Sequence, residues 1–249
     1  ADPLGLNLYS TSDDRKMGDE LDAEIVKNTA EYPIYSNATA TAYVQAIADA
    51  IKTSPEIKYA TIFSYKVKII KNDSVVNAFA IPGGYVYVYT GLLKFLDNEA
   101  SLASVIGHEI AHAECRHATK RMTKQYGLQY LLELLLGSNP GELESIAANL
   151  FSNLALLKNS RDDEYEADEY AFKYLRSTKW YPGAMTYFFD KVKGNETSSF
   201  LATMLSTHPM SQDRIDAVKA LIAAAKLAIP TEANLLATDY SNFKKTLAK

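Results

Sequence analysis

The stretch SLASVIGHEIAHAE, residues 101–114, places His108 and His112 four residues apart in a run of apolar residues at helical spacing. On a helix, side chains four residues apart lie on the same face, with Cβ atoms roughly 5–6 Å apart. One tetrahedral zinc ion can then accept a nitrogen from each imidazole, at about 2.0–2.1 Å. Glu109 lies beside the metal but is angled away from the ligand face, so it can take a proton from zinc-bound water. The stretch therefore predicts a catalytic zinc site on a helix.

A catalytic zinc also needs a third protein ligand and an open position. His117 is one candidate, but it follows His112 by five residues. The metzincin pattern requires a glycine and a further histidine at the positions of Cys115 and Ala118, so that pattern is excluded. Without a metal contact, His117 is typical of a histidine on a helix surface or of one that supports a ligand.

The segment SRDDEYEADE, residues 160–169, supplies carboxylates at helical spacing. Glu164 and Asp168 are four residues apart, so one can bind zinc while the other accepts the free ring N–H of a ligating histidine. Glu166 and Asp163 compete with Glu164 by composition. An acidic run is also typical of a solvated helix face, so the segment by itself leaves the choice of ligand open.

Around these motifs the period of the apolar residues changes. Spacing by three and four predicts helices, whereas β-branched and aromatic runs near the turn signal Pro82-Gly83-Gly84 predict a sheet of three or four strands. The predicted helices cover residues 12–30, 40–53, 98–124, 142–157 and 161–177. Another helix begins at Tyr181-Pro182-Gly183, and the chain is predicted to be helical from near Ser211 to its end. The predicted strands cover 65–70, 75–80 and 85–89.

This order of elements predicts a single α+β domain over residues 1–249, mostly helical with a small mixed β-sheet. Its expected parts are N-terminal helices (1–60), the sheet (61–91), catalytic helices (92–215) and C-terminal helices (216–249). The turn signal Asn139-Pro140-Gly141 separates two of the catalytic helices.

The composition excludes several classes of protein. A net charge of −4 gives no electrostatic reason to expect nucleic acid, and the single cysteine, Cys115, excludes an internal disulfide framework. No run approaches the roughly 20 apolar residues of a membrane span; the richest, Tyr130 to Leu136, contains Glu133 and indicates a buried helix face. We therefore expect a soluble chain. Its start at Ala1, without a Met, indicates either that a targeting segment has been removed or that the sequence was trimmed.

Four stretches together resemble the gluzincin zinc metallopeptidase family of the CAAX prenyl protease, HtpX and BepA type. They are Asn77 to Gly84 with the strand after it, Gly107 to His112, Ser160 to Asp168, and Thr207-His208-Pro209 with Arg214. The four in this order, spread over residues 77–214, are specific to that family. The resemblance implies a zincin-like fold and an endopeptidase that holds one Zn²⁺ per chain.

The resemblance assigns roles to individual residues. His108, His112 and Glu164 are the implied zinc ligands, Glu109 is the general base, and Asp168 is the carboxylate that supports His108. The implied reaction is hydrolysis of a peptide bond in a protein substrate. The rival interpretation is a zinc-stabilised binding or chaperone-like protein that keeps the site without turnover.

Two further residues lie near the active site in such enzymes. In BepA-type members the histidine at the position of His208 can act as a fourth ligand that blocks the open zinc position, so the enzyme is latent. The alternative for His208 is an exposed polar residue in a loop before a helix. Arg214 either stabilises an oxyanion or pairs with a carboxylate.

Peptidases of this kind bind substrate as an extra strand on an exposed sheet edge. The expected contacts are Asn77, Tyr85, Val86 and Tyr87, although alternating residues are also typical of core packing. No transmembrane helices and no 34-residue repeat after Leu205 are found, in contrast to other members. We expect an extracytoplasmic protein, in the bacterial periplasm or anchored as a lipoprotein, that associates with membrane proteins or an assembly partner.

Overall fold

In a computed structural model, which describes residues 7–124 and 159–247, a three-stranded mixed sheet packs against helices. The strands are β1 (Val67–Ile70), β2 (Ala78–Ile81) and β3 (Tyr85–Tyr89). The helices are α1 (Thr11–Lys27), α2 (Ala38–Lys52), α3 (Thr90–Phe95), α4 (Glu99–Glu114), α5 (117–124), α6 (Arg161–Leu175), α7 (Met185–Lys193), α8 (Ala202–Thr207), α9 (Gln212–Ala224), α10 (Glu232–Leu235) and α11 (Ala237–Lys245). The predicted α+β class is confirmed.

The sheet has the order β1-β3-β2, so β3 is its central strand. β3 runs parallel to β1 and antiparallel to β2, with Val88 opposite both Ile69 and Ala78. Gly83 and Gly84, in the turn between β2 and β3, have φ values of 80° and 86°, which favour glycine. The turn signal in the sequence therefore marks a real hairpin.

The central position of β3 corrects one expectation. Val86 and Tyr87 have partners on both sides, and Tyr85 pairs with Ile81 of β2. All three are buried, so they offer no exposed edge to a substrate. Instead, the hydroxyl groups of Tyr85 and Tyr87 donate to Asp19 and Asp22 of α1, at 2.6 and 2.5 Å. The outer side of β1 is bridged by Ile34, whereas within the described residues the outer side of β2 has no strand partner.

The predicted helix 98–124 is in fact two helices. α4 ends at Glu114, and Arg116 has a φ of 58°, in the left-handed region. The Arg116 guanidinium donates to the buried carboxylate of Asp14, from Nε at 2.7 Å and from Nη2 at 2.9 Å. This contact with α1 stabilises a bend that local sequence does not dictate.

α4 forms the centre of the core, since all of its residues are buried. The main hydrophobic cluster surrounds it and extends from Ala40 on α2 to Leu247 after α11. The helix predicted to run to the C-terminus is interrupted over residues 225–231, where Lys226 has a φ of 51° and Pro230 follows. The predicted helix 142–157 and the Tyr130–Leu136 stretch lie outside the described residues.

None of the helices in the described part of the chain has both the length and the apolar character needed to cross a membrane.

Candidate metal centre

The two histidines of α4 meet one glutamate of α6. His108 Nε2 and His112 Nε2 are 3.0 Å apart. Glu164 Oε2 lies 3.4 Å from His108 Nε2, and its Oε1 lies 3.2 Å from His112 Nε2. All three side chains are buried. The structure thus brings together the three residues that the sequence nominated as ligands.

The start of α6 explains why Glu164 reaches this point. Ser160 is the N-cap, and it forms a capping box with Asp163: each side chain accepts a hydrogen bond from the other residue's backbone N–H, at 3.1 Å. Asp163 is therefore engaged at the helix end, and Glu164, the next residue, turns into the core. The competitor Glu166 points to His117 instead, with 2.8 Å between Oε2 and Nε2.

Asp168 lies beside the first histidine. Its Oδ1 accepts from His108 Nδ1 at 2.9 Å. The Arg214 guanidinium donates to the same carboxylate, from Nε to Oδ2 at 2.7 Å and from Nη2 to Oδ1 at 2.8 Å. A carboxylate on Nδ1 fixes the tautomer in which Nε2 carries the lone pair.

The remaining nitrogen of Arg214 is also engaged. Nη1 donates to Pro209 O at 3.0 Å and lies 2.7 Å from Glu164 Oε2. Each nitrogen of the guanidinium therefore contacts an acceptor in the protein, and the whole side chain is buried. Of the two alternatives for Arg214, this geometry favours the pairing with carboxylates.

The His-Pro loop folds over the site. His208 is buried, and its Nδ1 hydrogen-bonds Glu164 Oε1 at 3.0 Å. Its Nε2 lies 3.6 Å from Glu109 Oε1. The exposed loop histidine of the alternative interpretation does not match this position.

Two further residues contact the ligands: His117, for which the sequence left open a surface or a ligand-supporting position, and Asn159, which the sequence did not assign. His117 Nδ1 lies 2.7 Å from His112 Nδ1. Asn159 Nδ2 lies 3.4 Å from His112 Nε2 and 3.3 Å from His208 Nδ1. A third histidine close to the motif, at residue 117, was a signal in the sequence, whereas nothing in the sequence singled out Asn159.

The pKa values of the two glutamates at the site shift in opposite directions. Burial raises the pKa of Glu109. Burial also opposes ionisation of Glu164, but the nearby His208 and His108 hold its pKa well below the ordinary value. Glu164 is therefore an anion, whereas Glu109 is the more basic carboxylate.

The two ligand histidines differ in the same way. Burial lowers the pKa of His108, but Glu164 and Asp168 outweigh this effect and raise that pKa to about 10. Burial, the largest influence on His112, lowers its pKa well below the usual value. A metal ion that binds here competes with the His108 proton.

A cleft of about 460 Å³ opens beside these residues. β2 forms one wall, and Glu109 also lines the cleft. Asn77, just before β2, is buried and its Oδ1 has no hydrogen-bond partner. Side chains of α1, such as Leu21 and Ile25, also line the cleft. An extended chain in this cleft would pass Glu109 alongside β2.

These residues fit a divalent metal ion. His108, His112, Glu164 and His208 each offer one ligand atom, and these four atoms lie within 4.8 Å of one another. Glu164 Oε2 is buried and accepts no hydrogen bond, although Arg214 lies close to it. A carboxylate oxygen carries two lone pairs, so Oε2 can contact Arg214 and still offer a lone pair to a metal ion. Two imidazoles and a carboxylate are one of the donor sets that catalytic zinc sites use.

A buried His-Glu-x-x-His helix, a carboxylate from a second helix and an adjacent edge strand define a metallopeptidase. The sequence matches Peptidase family M48 over residues 38–222. The chain belongs to peptidase family M48.

The chain is similar to several named peptidases. The mitochondrial metalloendopeptidase OMA1 of Arabidopsis thaliana is 34% identical over 61% of this chain and 30% of its own length. The beta-barrel assembly-enhancing protease of Yersinia pestis is 28% identical over 75% of this chain and 40% of its own. The metalloprotease LoiP of Escherichia coli is 31% identical over 65% and 63%. The chain thus spans less than two thirds of the length of each of these relatives.

Proposed function

We propose that the chain is a zinc-dependent endopeptidase. The observation that carries this proposal is the convergence of His108, His112 and Glu164 on one point, with Glu109 and β2 at its side. His108 and His112 bind the metal through Nε2, and Glu164 through its carboxylate. Two nitrogens and one oxygen suit zinc, and three protein ligands leave a position for substrate or water.

When bound, zinc polarises the scissile carbonyl and lowers the pKa of a coordinated water towards about 7. Glu109 takes a proton from the attacking water and later delivers it to the leaving amine. The pKa of Glu109, raised by burial, makes it a better proton acceptor than an exposed carboxylate. Its side chain is one of those that line the cleft.

Substrate binds as an extended strand along β2. In this orientation the peptide backbone joins the free edge of Ala78–Ile81, and its scissile bond lies near Glu109. The Asn77 amide, whose Oδ1 lacks a partner, offers an additional hydrogen-bonding group to the peptide. Edge pairing uses main-chain groups, so it suits protein substrates of varied sequence.

Arg214 and His208 contact different oxygens of the Glu164 carboxylate, Oε2 and Oε1. Arg214 pairs with Asp168 and Glu164 and thereby holds one ligand and one supporting carboxylate in place. His208 is positioned to be a fourth donor to the metal, which makes the resting enzyme latent. Release of the His-Pro loop then opens the site.

The same His208 contact favours a second function. A zinc ion with four protein ligands is a closed, structural site, and a protein of that kind would bind partners without turnover. Glu109 argues against it, because a structural site needs no base at that position. A site with three protein ligands, or one from which His208 is displaced when peptide binds, favours the enzyme. Four ligands that persist when peptide binds favour the binding protein.

The proposed location is extracytoplasmic, in the periplasm or on a lipoprotein anchor. Its support is the similarity to the beta-barrel assembly-enhancing protease of Yersinia pestis. Association with membrane proteins or an assembly partner follows from the same similarity.

A digest of casein or of a peptide library tests the enzyme directly. The zinc-loaded protein should release fragments, a chelator should stop the release, and added zinc should restore it. Fragments that persist at the same rate in the chelator would exclude a zinc-dependent reaction. A zinc-loaded protein that binds peptides without cleaving them would support the binding function.

A further inference from the structure

The bend after α4 changes the position of His117 relative to His112. On a continuous helix, residues five apart point about 140° away from each other, at 3.6 residues per turn. The left-handed Arg116 instead brings His117 Nδ1 to 2.7 Å from His112 Nδ1. His117 is also buried, so this contact is shielded from water.

The protons in this contact follow from the next partner. His117 Nε2 lies 2.8 Å from Glu166 Oε2, a carboxylate that can only accept when ionised, so Nε2 carries the hydrogen. A neutral His117 then has its lone pair on Nδ1 and accepts from His112 Nδ1–H. His112 is left with its lone pair on Nε2, which faces His108 Nε2 and Glu164.

The arrangement supports each ligand histidine differently. His108 donates directly to a carboxylate, that of Asp168. His112 reaches a carboxylate, that of Glu166, through the interposed ring of His117. In both cases the partner on Nδ1 sets the tautomer and the orientation of the ring.

The relay is held in place from α1. The Arg116 guanidinium makes two hydrogen bonds to Asp14, and Thr119 Oγ1 lies 3.3 Å from the same carboxylate. The backbone geometry that delivers His117 is therefore fixed by contacts outside the helix pair that carries the metal ligands.

We propose that His117 and Glu166 form a hydrogen-bond relay that fixes His112 as an Nε2 metal ligand. They are positioning residues, since neither contacts the reacting atoms. The inference rests on the proposed function, because it assumes that His112 binds zinc. Glu166, which the sequence offered as an alternative to Glu164, thus supports a metal ligand and is not a ligand itself.

The test measures zinc affinity by competition with a chromophoric chelator, independently of activity. His117→Ala removes the acceptor, so zinc should bind roughly 10- to 100-fold more weakly, as is typical when such a partner is lost. His117→Asn can place Oδ1 near the position of Nδ1, so its affinity should stay within a few-fold of wild type. Glu169→Gln, an exposed glutamate on the same helix, is the matched control.

Glu166→Ala extends the test to the end of the relay. It should weaken zinc binding in the wild-type background but add nothing to His117→Ala, because the intermediate ring is then absent. The inference is overturned if His117→Ala or Glu166→Ala binds zinc as tightly as wild type, or if the two losses add in full. A wild-type protein that binds no zinc overturns the proposed function as well, which distinguishes the two failures.

Discussion

Arg214 and Asp168 form a two-pronged buried ion pair, with Nε 2.7 Å from Oδ2 and Nη2 2.8 Å from Oδ1. The pair links α9 to α6, and the same aspartate contacts His108 on α4. A single interaction therefore stabilises the three helices around the site. Removal of one partner leaves a buried charge without compensation, which is costly.

The first prediction concerns this pair. Arg214→Met should lower the free energy of unfolding by about 3–5 kcal/mol, because it leaves the Asp168 and Glu164 carboxylates buried without their cation. Urea unfolding of the metal-free protein measures the change. The double variant with Asp168→Asn should lose less than the sum of the two single losses. Additive losses would show that the two residues stabilise the fold independently.

The second prediction concerns the third ligand. Glu164→Ala should lose most of the bound zinc, since both Glu164 oxygens lie within 3.4 Å of a ligand nitrogen. His108→Ala should do the same. Metal analysis of the purified proteins should find about one zinc per wild-type chain and the same for Glu169→Gln. Full zinc content in Glu164→Ala would assign the third ligand elsewhere, with Glu166 the next to test.

The third prediction separates binding from chemistry. Glu109→Gln keeps the shape of the side chain and removes the base, so zinc should stay bound while turnover falls at least about 100-fold. Zinc content and the rate of cleavage of a fluorogenic peptide measure the two effects. Unchanged cleavage by Glu109→Gln would contradict the assignment of the base.

The fourth prediction concerns the edge of the sheet. In Glu109→Gln, a bound peptide should slow amide hydrogen exchange in Ala78–Ile81, because its backbone covers the free side of β2. Residues 86–88 of β3 are already paired on both sides, so their exchange is the internal control. Slower exchange confined to a different surface would place the substrate away from β2.

Elements set by local spacing were predicted well. The motif helix α4 begins at Glu99 and α6 at Arg161, each within one residue of its predicted start, because a cap and an apolar period act within a few residues. The same spacing identified His108 and His112 as ligands and made Glu164 one of a few candidates for the third ligand. The choice of Glu164 also drew on the resemblance to known peptidases.

Features that depend on distant contacts were missed. The order of the strands is set by pairing between separate segments, so the alternation in Tyr85–Tyr89 did not reveal that β3 is central. The bend at Arg116 depends on Asp14, 102 residues earlier in the chain. His117 therefore could not be placed against His112 from the spacing of the two residues.

The last prediction concerns latency and rests on His208. The side chain lies over the metal ligands, with Nδ1 3.0 Å from Glu164 Oε1 and a ring centroid 5.4 Å from that of His108. In this position it can occupy the place on the metal that a substrate carbonyl needs. If His208 is a plug, His208→Ala should raise peptidase activity and leave zinc bound by three protein ligands.

The alternative role gives the opposite result. If His208 donates a hydrogen bond to the tetrahedral intermediate, the same change should slow turnover by the order of 10²–10³, as when one such donor is removed. We expect the plug in the resting protein, because the His208 ring already joins the group of potential ligands. Peptide cleavage rates and the absorption spectrum of the cobalt-substituted protein measure activity and coordination, with Ser206→Ala, an exposed neighbour, as the control. Kinetics of His208→Ala equal to those of wild type would remove both roles.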